Sequence, residues 1–180
     1  MRVISGTLGG RQFQSPNGHR THPMSEKVRG AIFGVLGDIT GLTVLDAFAG
    51  SGALGFEAIS RGAKKALLID NDKQAQVTVE SNIDVLGLAD RAALIKANAI
   101  SWSNQNRQQL FDLLLIDPPY DKLPFAVIER LARNLKPGGT YVLSWPGQFE
   151  APKLPGLEII SNKDYGDAQL FFYKHVALAK

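Results

Sequence analysis

The residues that most clearly predict chemistry are Asp117, Pro118, Pro119 and Tyr120, which follow the apolar run Phe111–Ile116. Two successive prolines remove two amide donors and stiffen the turn, so the carbonyl of Pro118 can stay free as an acceptor beside the Asp117 carboxylate. Two acceptors could bind both hydrogens of a conjugated –NH2 group while the Tyr120 ring stacks on the base that carries it. The motif therefore predicts chemistry at an exocyclic amine of a nucleobase, with no activated serine, cysteine or metal.

A second candidate site is the glycine-rich segment that begins at Asp46. Gly50, Gly52 and Gly55 satisfy the pattern G-x-G-x-x-G, and Asp70 lies at about the distance expected for a ribose contact. The pattern also fits a nicotinamide dinucleotide protein, in which the glycines admit a pyrophosphate to a helix N-terminus. Asp46 argues against that alternative, because a carboxylate would repel a diphosphate but could hold the cationic amino group of S-adenosylmethionine. We therefore expect S-adenosylmethionine as the cofactor and methyl transfer, aided by in-line positioning, as the reaction.

The other expected cofactor contacts lie in the loops after the next predicted strands. Asp70 could accept hydrogen bonds from both ribose hydroxyls, as in dinucleotide folds. The full predicted cofactor-binding set consists of Asp46, Phe48, Ala49, Gly50, Ser51, Gly52, Asp70, Asn71, Asn98 and Ala99.

The elements that must position these residues follow from the spacing of the apolar residues. Ser25 is predicted to cap a first helix, and Lys136–Gly139 is predicted to be a helix stop and turn. A turn at Tyr165–Asp167 is predicted to join the last two strands. The predicted strands are Thr43–Ala47, Lys65–Ile69, Ala92–Lys96, Phe111–Ile116, Thr140–Ser144, Leu157–Ser161 and Ala168–Lys174, and the later helices are Ala53–Arg61, Lys73–Leu86 and Phe125–Asn134.

This alternation predicts an α/β fold of Rossmann-like type, a mostly parallel seven-stranded sheet with helices on both faces. The two consecutive strands at the end predict an antiparallel pair, and the segment Val3–Ser15 predicts an N-terminal β-hairpin or arm. One domain is predicted over residues 1–180, with the arm in 1–22 and a helix plus the core in 23–180. Ligands bind at the carboxyl ends of strands in such folds, which is where the candidate carboxylates fall.

Composition limits the class of protein. The chain has no cysteine, which excludes disulfides and thiolate metal sites and suits a reducing cytosol. The segment Met1–Gly10 lacks the apolar region of a secretory signal, and the longest purely aliphatic run, Leu113–Ile116, is far too short to span a bilayer. We therefore predict a cytoplasmic protein without a membrane segment or a metal site.

Positive charge is concentrated near the N-terminus. The net charge is only +3, but five cations against one acid, Glu26, lie within the first thirty residues. A localised basic face is the footprint expected for a polyanionic partner. The predicted RNA-binding residues are Arg2, Arg11, Arg20, Lys27 and Arg29.

Motifs along nearly the whole chain resemble those of the RsmD-type family of class I methyltransferases, which methylate the N2 amine of one guanine in 16S ribosomal RNA. Two departures are Asn98, where the family more often has Asp, and Thr21–Ser25, where it more often runs Arg-Pro-Thr. The resemblance implies that Asn98 meets the adenine 6-amino group of the cofactor, and its amide oxygen can accept that hydrogen bond. The resemblance implies S-adenosylmethionine as cofactor, and a monomer that acts on 16S rRNA in an assembling small subunit. The motifs that carry it are Met1–Gly6, Gly10-Arg11, Pro23–Arg29, Ile32-Phe33, Asp46–Leu54, Ser60–Ala63, Asp117–Tyr120 and Tyr165–Asp167.

Three alternatives remain at the level of the sequence. Asp-Pro-Pro-Tyr motifs also occur in methyltransferases that act on the adenine amine of DNA or RNA. The glycine pattern is also compatible with a dinucleotide oxidoreductase. The basic N-terminus is also compatible with a catalytically silent RNA-binding assembly factor.

Overall fold

The computed structural model describes residues 1–16 and 23–176 as a sheet with helices on both faces. The turn at Tyr165–Asp167 joins the last two strands as predicted. A short 3-10 turn, Ala132–Asn134, follows the last helix. In chain order the elements are α1 (Glu26–Leu36), β1 (Thr43–Ala47), α2 (Ala53–Ser60), β2 (Lys65–Asp70), α3 (Lys73–Leu86), β3 (Ala92–Lys96), α4 (Ala99–Gln105), β4 (Phe111–Ile116), α5 (Phe125–Leu131), β5 (Leu135–Pro146), β6 (Leu157–Asp164) and β7 (Ala168–His175).

The strand order confirms the predicted sheet. The seven strands lie in the order β3-β2-β1-β4-β5-β7-β6, and β7 runs antiparallel to both of its neighbours. The chain moves outward from β1 to β3 and then returns to add β4 on the other side of β1. This reversal places the topological switch point between β1 and β4, where ligands bind in open α/β sheets.

The register of the central strands aligns their carboxyl ends. Ala47 at the end of β1 pairs with Ile69 on β2 and with Ile116 on β4. The residues that follow these three positions therefore leave the sheet at the same level, although they are far apart in sequence. The candidate loops meet at one edge for this reason.

Alternate residues of the strands fill two separate cores. Val44 and Leu68 pack against α1, α2 and α3, whereas Leu45 and Ile69 pack on the other face against α4 and α5. The central strands are buried on both faces, which explains their nearly continuous apolar runs.

The N-terminal segment packs against the helices instead of projecting as an arm. Val3 and Phe13 are buried in the core beside α2, and Phe13 meets Phe56 edge to face at a centroid distance of 5.7 Å. Residues 1–16 contain one isolated antiparallel bridge, between Arg2 and Gln12, and no strand. The predicted hairpin is therefore not confirmed as a pair of strands, and its part in 17–22 lies outside the described residues.

One local prediction was wrong, and one helix was missed. Lys136–Gly139 is part of β5, which begins at Leu135 and pairs with Phe111 before a shift in register at Leu113. The helix α4 was not predicted, because its seven residues carry little periodic signal. Its first turn depends on a cap from Asn98, a residue that had been interpreted only as a ligand contact.

Candidate active site

The glycine loop after β1 is held in place by Asp70. One carboxylate oxygen of Asp70 accepts the backbone N–H of Gly50 at 2.8 Å, and the other accepts that of Asp72 at 2.8 Å. The amide of Ala49 also donates to the carbonyl of Ile69 at 3.0 Å. The predicted ribose-binding carboxylate thus has a structural partner on each oxygen, and one further lone pair on each remains for a hydroxyl group.

Two backbone positions in this loop demand special conformations. Phe48 has a φ of 67°, a left-handed conformation that is unusual for a residue with a Cβ and marks local strain. Gly52 has a φ of 82°, and a Cβ there would lie 2.4 Å from the ring of Phe56. The loop therefore turns sharply away from β1 and starts α2 immediately.

Asp46 lies beneath the loop and is fully buried. Its Oδ2 accepts the N–H of Gly55 at 2.9 Å, but its Oδ1 has no hydrogen-bond partner among the described residues. Burial is the main cause of a rise in the pKa of Asp46 to about 8; the Gly55 N–H opposes this rise, and the nearby carboxylates of Asp117 and Asp70 add to it. A buried carboxyl oxygen without a hydrogen-bond partner at this place could accept a hydrogen bond from a ligand, in particular from a cationic group.

The predicted catalytic motif leaves β4 beside β1. Burial raises the pKa of Asp117 to about 6, and the hydroxyl of Ser144 lowers it in part. Pro118 is buried, and within the parts of the chain that the structure describes no group donates a hydrogen bond to its carbonyl. Both predicted acceptors are thus present at the strand end.

Ser144 is a site residue that the sequence analysis missed. It follows Leu143, which pairs with Ile116, so Ser144 lies level with Asp117 on the adjacent strand. Its hydroxyl is 2.5 Å from that of Tyr120. The Tyr120 side chain is partly exposed, and burial of its hydroxyl raises the pKa of Tyr120 to about 12, so the phenol remains protonated. The hydroxyl end of the ring is therefore held by Ser144, while the side chain remains partly exposed.

The loop after β3 differs from its predicted role. The Asn98 side-chain oxygen accepts the backbone N–H groups of Ile100 and Ser101 at 3.0 and 3.3 Å, so it caps α4. The acceptor that was predicted for adenine is already in use, and the amide Nδ2 is the group left for a ligand. Ala99 is buried at the start of α4, and Asn71 is exposed after β2.

The predicted RNA-binding cations do not form one surface. Arg29 is fully buried, its Nε 3.8 Å from Glu57 and its Nη2 bound to the carbonyl of Arg2 at 2.7 Å, so the prediction that Arg29 contacts RNA was wrong. Arg11 donates to two carbonyls of the last turn of α3, at the sheet edge opposite the glycine loop. Arg20 lies outside the described residues.

Lys27 is the predicted cation that the fold brings to the carboxyl edge of the strands. Its ammonium lies 6.0 Å from the centre of the Tyr165 ring, in the turn between β6 and β7. That turn is tied to the end of β5, because Gly147 donates to the carbonyl of Asp167 at 3.0 Å. Arg2 is also exposed but is paired with Glu26 at 3.0 Å.

Neither a metal centre nor a membrane span is found in the described ranges. Residues 1–16 and 23–176 hold no group of three or more histidine, cysteine or carboxylate side chains that could bind a metal ion. Among the helices of the same ranges, none is long and apolar enough to cross a membrane.

Comparison with known proteins gives consistent matches over nearly the full length. Residues 1–174 match the family model described as "Conserved hypothetical protein 95". YlbH of Bacillus subtilis, whose name describes an rRNA methyltransferase, is 33% identical over 97% of this chain and 98% of its own length. Ribosomal RNA small subunit methyltransferase D of Haemophilus influenzae is 33% identical over 76% of this chain and 74% of its own. The solved structure of yhhF from Escherichia coli superposes with a TM-score of 0.87 at 28% identity, over 97% of each chain.

Proposed function

We propose, from the premise that this chain belongs to the family described as conserved hypothetical protein 95 and is an RsmD-type class I methyltransferase, that it methylates the N2 amine of a guanine in 16S ribosomal RNA. The observation that carries the proposal is the meeting of Asp46, the glycine loop and Asp117 at the switch point of the sheet.

The residues around the loop fit S-adenosylmethionine. The unpartnered Oδ1 of Asp46 offers an acceptor for a cationic amino group, which would also relieve the cost of burying that carboxyl. Asp70 offers a free lone pair on each oxygen to ribose hydroxyls, while its bonds to Gly50 and Asp72 keep it oriented. When bound, the cofactor supplies an electrophilic methyl group on a sulfonium.

The catalytic motif is suited to an amine that is a poor nucleophile. The Asp117 carboxylate and the Pro118 carbonyl would each accept one hydrogen of the –NH2 group, which favours pyramidalisation and turns the lone pair towards the methyl group. A pKa of about 6 leaves Asp117 ionised at neutral pH and able to take the proton that the amine loses. The exposed face of Tyr120 would stack on the base, an interaction worth about 1–3 kcal/mol.

The rRNA substrate is supported by the names of the relatives. The Haemophilus influenzae relative is named as a ribosomal RNA small subunit methyltransferase, and the match covers three quarters of both chains. The motif also resembles that of protein glutamine methyltransferases, but those typically carry Asn at its first position, so Asp117 favours a base. Lys27 and Tyr165 add a cation and an aromatic ring at the same edge. We infer that a single copy acts on the assembling small subunit.

Methyl transfer to ribosomal particles tests the proposal. Small subunits from cells that lack this protein are incubated with it and with S-adenosylmethionine labelled in the methyl group. We expect label in 16S rRNA with the wild type and none with Asp117→Ala, although that variant still binds the cofactor by calorimetry. Binding of NAD instead, or RNA binding without any transfer of label, would contradict the proposal and favour an oxidoreductase or a silent assembly factor.

A further inference from the structure

One buried side chain outside the site touches both the glycine loop and the N-terminal segment. Asn82 lies on α3 and is fully buried. Its Oδ1 accepts the backbone N–H of Gln14 at 2.8 Å, and its Nδ2 donates to the carbonyls of Gln14 at 2.8 Å and of Ser51 at 3.0 Å. Both amide hydrogens are thus used, and each has a different partner.

The two segments that Asn82 joins have different roles. Ser51 lies between the two glycines of the cofactor loop, next to the Gly50 amide that Asp70 holds. Gln14 belongs to the N-terminal segment, which carries exposed arginines and is held elsewhere by Glu57 through the amides of Ile4 and Ser5. Within the described residues no hydrogen bond runs directly from Gln14 to the loop, so the amide of Asn82 carries the polar connection.

We propose that Asn82 is a positioning residue that couples cofactor binding at the glycine loop to RNA binding by the N-terminal segment. The inference rests on the proposed function. The amide group of Asn82 is planar. The side-chain rotation that directs Nδ2 to the Ser51 carbonyl therefore also fixes where Nδ2 and Oδ1 meet the carbonyl and the N–H of Gln14. A shift of the loop on cofactor binding is thereby passed through Asn82 to the backbone of Gln14, and it changes how the N-terminal segment is presented to RNA. Thermodynamic linkage requires that bound RNA raise the affinity for cofactor by the same factor by which bound cofactor raises the affinity for RNA.

Asn82→Asp is the most direct variant. It has nearly the same shape and keeps an acceptor for the Gln14 N–H, but it removes both donors and turns a carboxylate oxygen towards two carbonyls. A structural defect alone would also lower stability, so a matched buried amide is needed as a control.

Asn134 provides that control. It is equally buried, its Nδ2 donates to the carbonyls of Asn106 and Gln109 at 2.9 Å each, and its Oδ1 accepts the Ser103 hydroxyl at 2.6 Å. It joins α4 to the turn after α5 and contacts neither the glycine loop nor the N-terminal segment. Asn134→Asp therefore repeats the chemical change without the proposed connection.

The readout is the affinity for RNA with and without cofactor. Small subunits from cells that lack the protein serve as the RNA, and saturating S-adenosylhomocysteine serves as a non-reactive cofactor. In the wild type we expect the cofactor to tighten RNA binding by about 5-fold or more, the low end of ordinary allosteric coupling. The ratio of the RNA dissociation constant without cofactor to that with cofactor should fall to about 1 in Asn82→Asp. In Asn134→Asp it should equal the wild-type ratio.

A second variant keeps the test decisive if Asn82→Asp does not fold. Gln14→Pro removes the N–H that Asn82 accepts, at an exposed residue, and leaves the amide of Asn82 unchanged; it should also lower the ratio towards 1. A wild-type ratio of 1, or a wild-type ratio retained by the folded Asn82 variant or by Gln14→Pro, would overturn the coupling. If the wild type neither binds the particles nor methylates them, the proposed function itself fails, which is a different result.

Discussion

The hydroxyl of Ser144 lies 2.5 Å from the hydroxyl of Tyr120, so a buried serine near the carboxyl end of β5 fixes the partly exposed ring of the catalytic motif. The same serine opposes the rise in the pKa of Asp117. One side chain on β5 thus acts on both the proposed stacking ring and the proposed acceptor.

Loss of the Ser144–Tyr120 contact should weaken catalysis without affecting cofactor binding. A hydrogen bond of this kind contributes about 0.5–1.5 kcal/mol, so we expect Tyr120→Phe to lower kcat/KM for RNA by roughly 2- to 12-fold. Ser144→Ala should cost at least as much, because Asp117 also loses its hydroxyl partner. Steady-state kinetics of the two variants and of the double variant provide the check. Additive losses would show that the two hydroxyls act independently.

Ionisation of Asp117 should set the acidic limb of the pH profile. Its pKa is raised to about 6, and only the ionised carboxylate can take a proton from the amine. At saturating cofactor, kcat/KM for RNA should therefore rise with pH through about 6 and then level off. Asp117→Asn should lower kcat by about 10²- to 10⁴-fold and abolish the limb. If the acidic limb persists in Asp117→Asn, the ionisation of another group causes it.

Burial of Asp46 should make the ligand-free protein less stable as pH rises. Its pKa is raised in the folded state to about 8, so the folded protein binds more protons than the unfolded chain between the ordinary pKa of 3.8 and about 8. The free energy of unfolding should fall across that window, by up to ~1.4 kcal/mol per pH unit from this group. Asp117 also makes the free energy of unfolding fall as pH rises, but only up to about pH 6.

Urea unfolding between pH 6.5 and 8 separates the two carboxyls. In that interval the wild type should lose stability with pH, whereas Asp46→Asn should lose markedly less, because the amide cannot ionise. Equal slopes in the two proteins would mean that Asp46 is already ionised at neutral pH. Saturating S-adenosylhomocysteine should reduce the wild-type slope, since a cationic amino group near Oδ1 favours the carboxylate.

Two neighbouring cations on α1 should behave in opposite ways. Lys27→Ala should weaken RNA binding and reduce the slope of log affinity against log salt by about 1, because an exposed ammonium is removed. Arg29→Ala should instead lower the free energy of unfolding, on the order of 3 kcal/mol, because it empties a buried site beside Glu57. Salt-dependent RNA binding and denaturant unfolding of both variants distinguish the roles. An unchanged stability in Arg29→Ala would contradict its structural assignment.

The elements and the carboxylates at the strand ends were predictable because short-range patterns determine them. Apolar runs of five or six residues locate β1, β2 and β4, and parallel strands must bring Asp70 and Asp117 to one edge. No knowledge of long-range contacts was needed for that step.

Apart from the short helix α4, the missed features depend on partners distant in sequence. Arg29 looks like part of a basic patch, and only its contact with Glu57 on α2 shows that it is buried. Asn82 is a polar residue in the middle of a helix, indistinguishable in sequence from a solvated one until Gln14 and Ser51 are seen beside it. Ser144 needed the register of β4 and β5, which a bulge at the start of β5 obscures.

The identity of the methylated base is the most direct test of the central claim. Nucleosides from 16S rRNA of cells with and without this protein are compared by mass spectrometry, with Asp117→Ala as a complementing control. We expect N2-methylguanosine to decrease by one residue per 16S molecule when the protein is absent, and the wild type but not Asp117→Ala to restore it. Loss of a methylated adenine instead, or no change in any modified base, would contradict it.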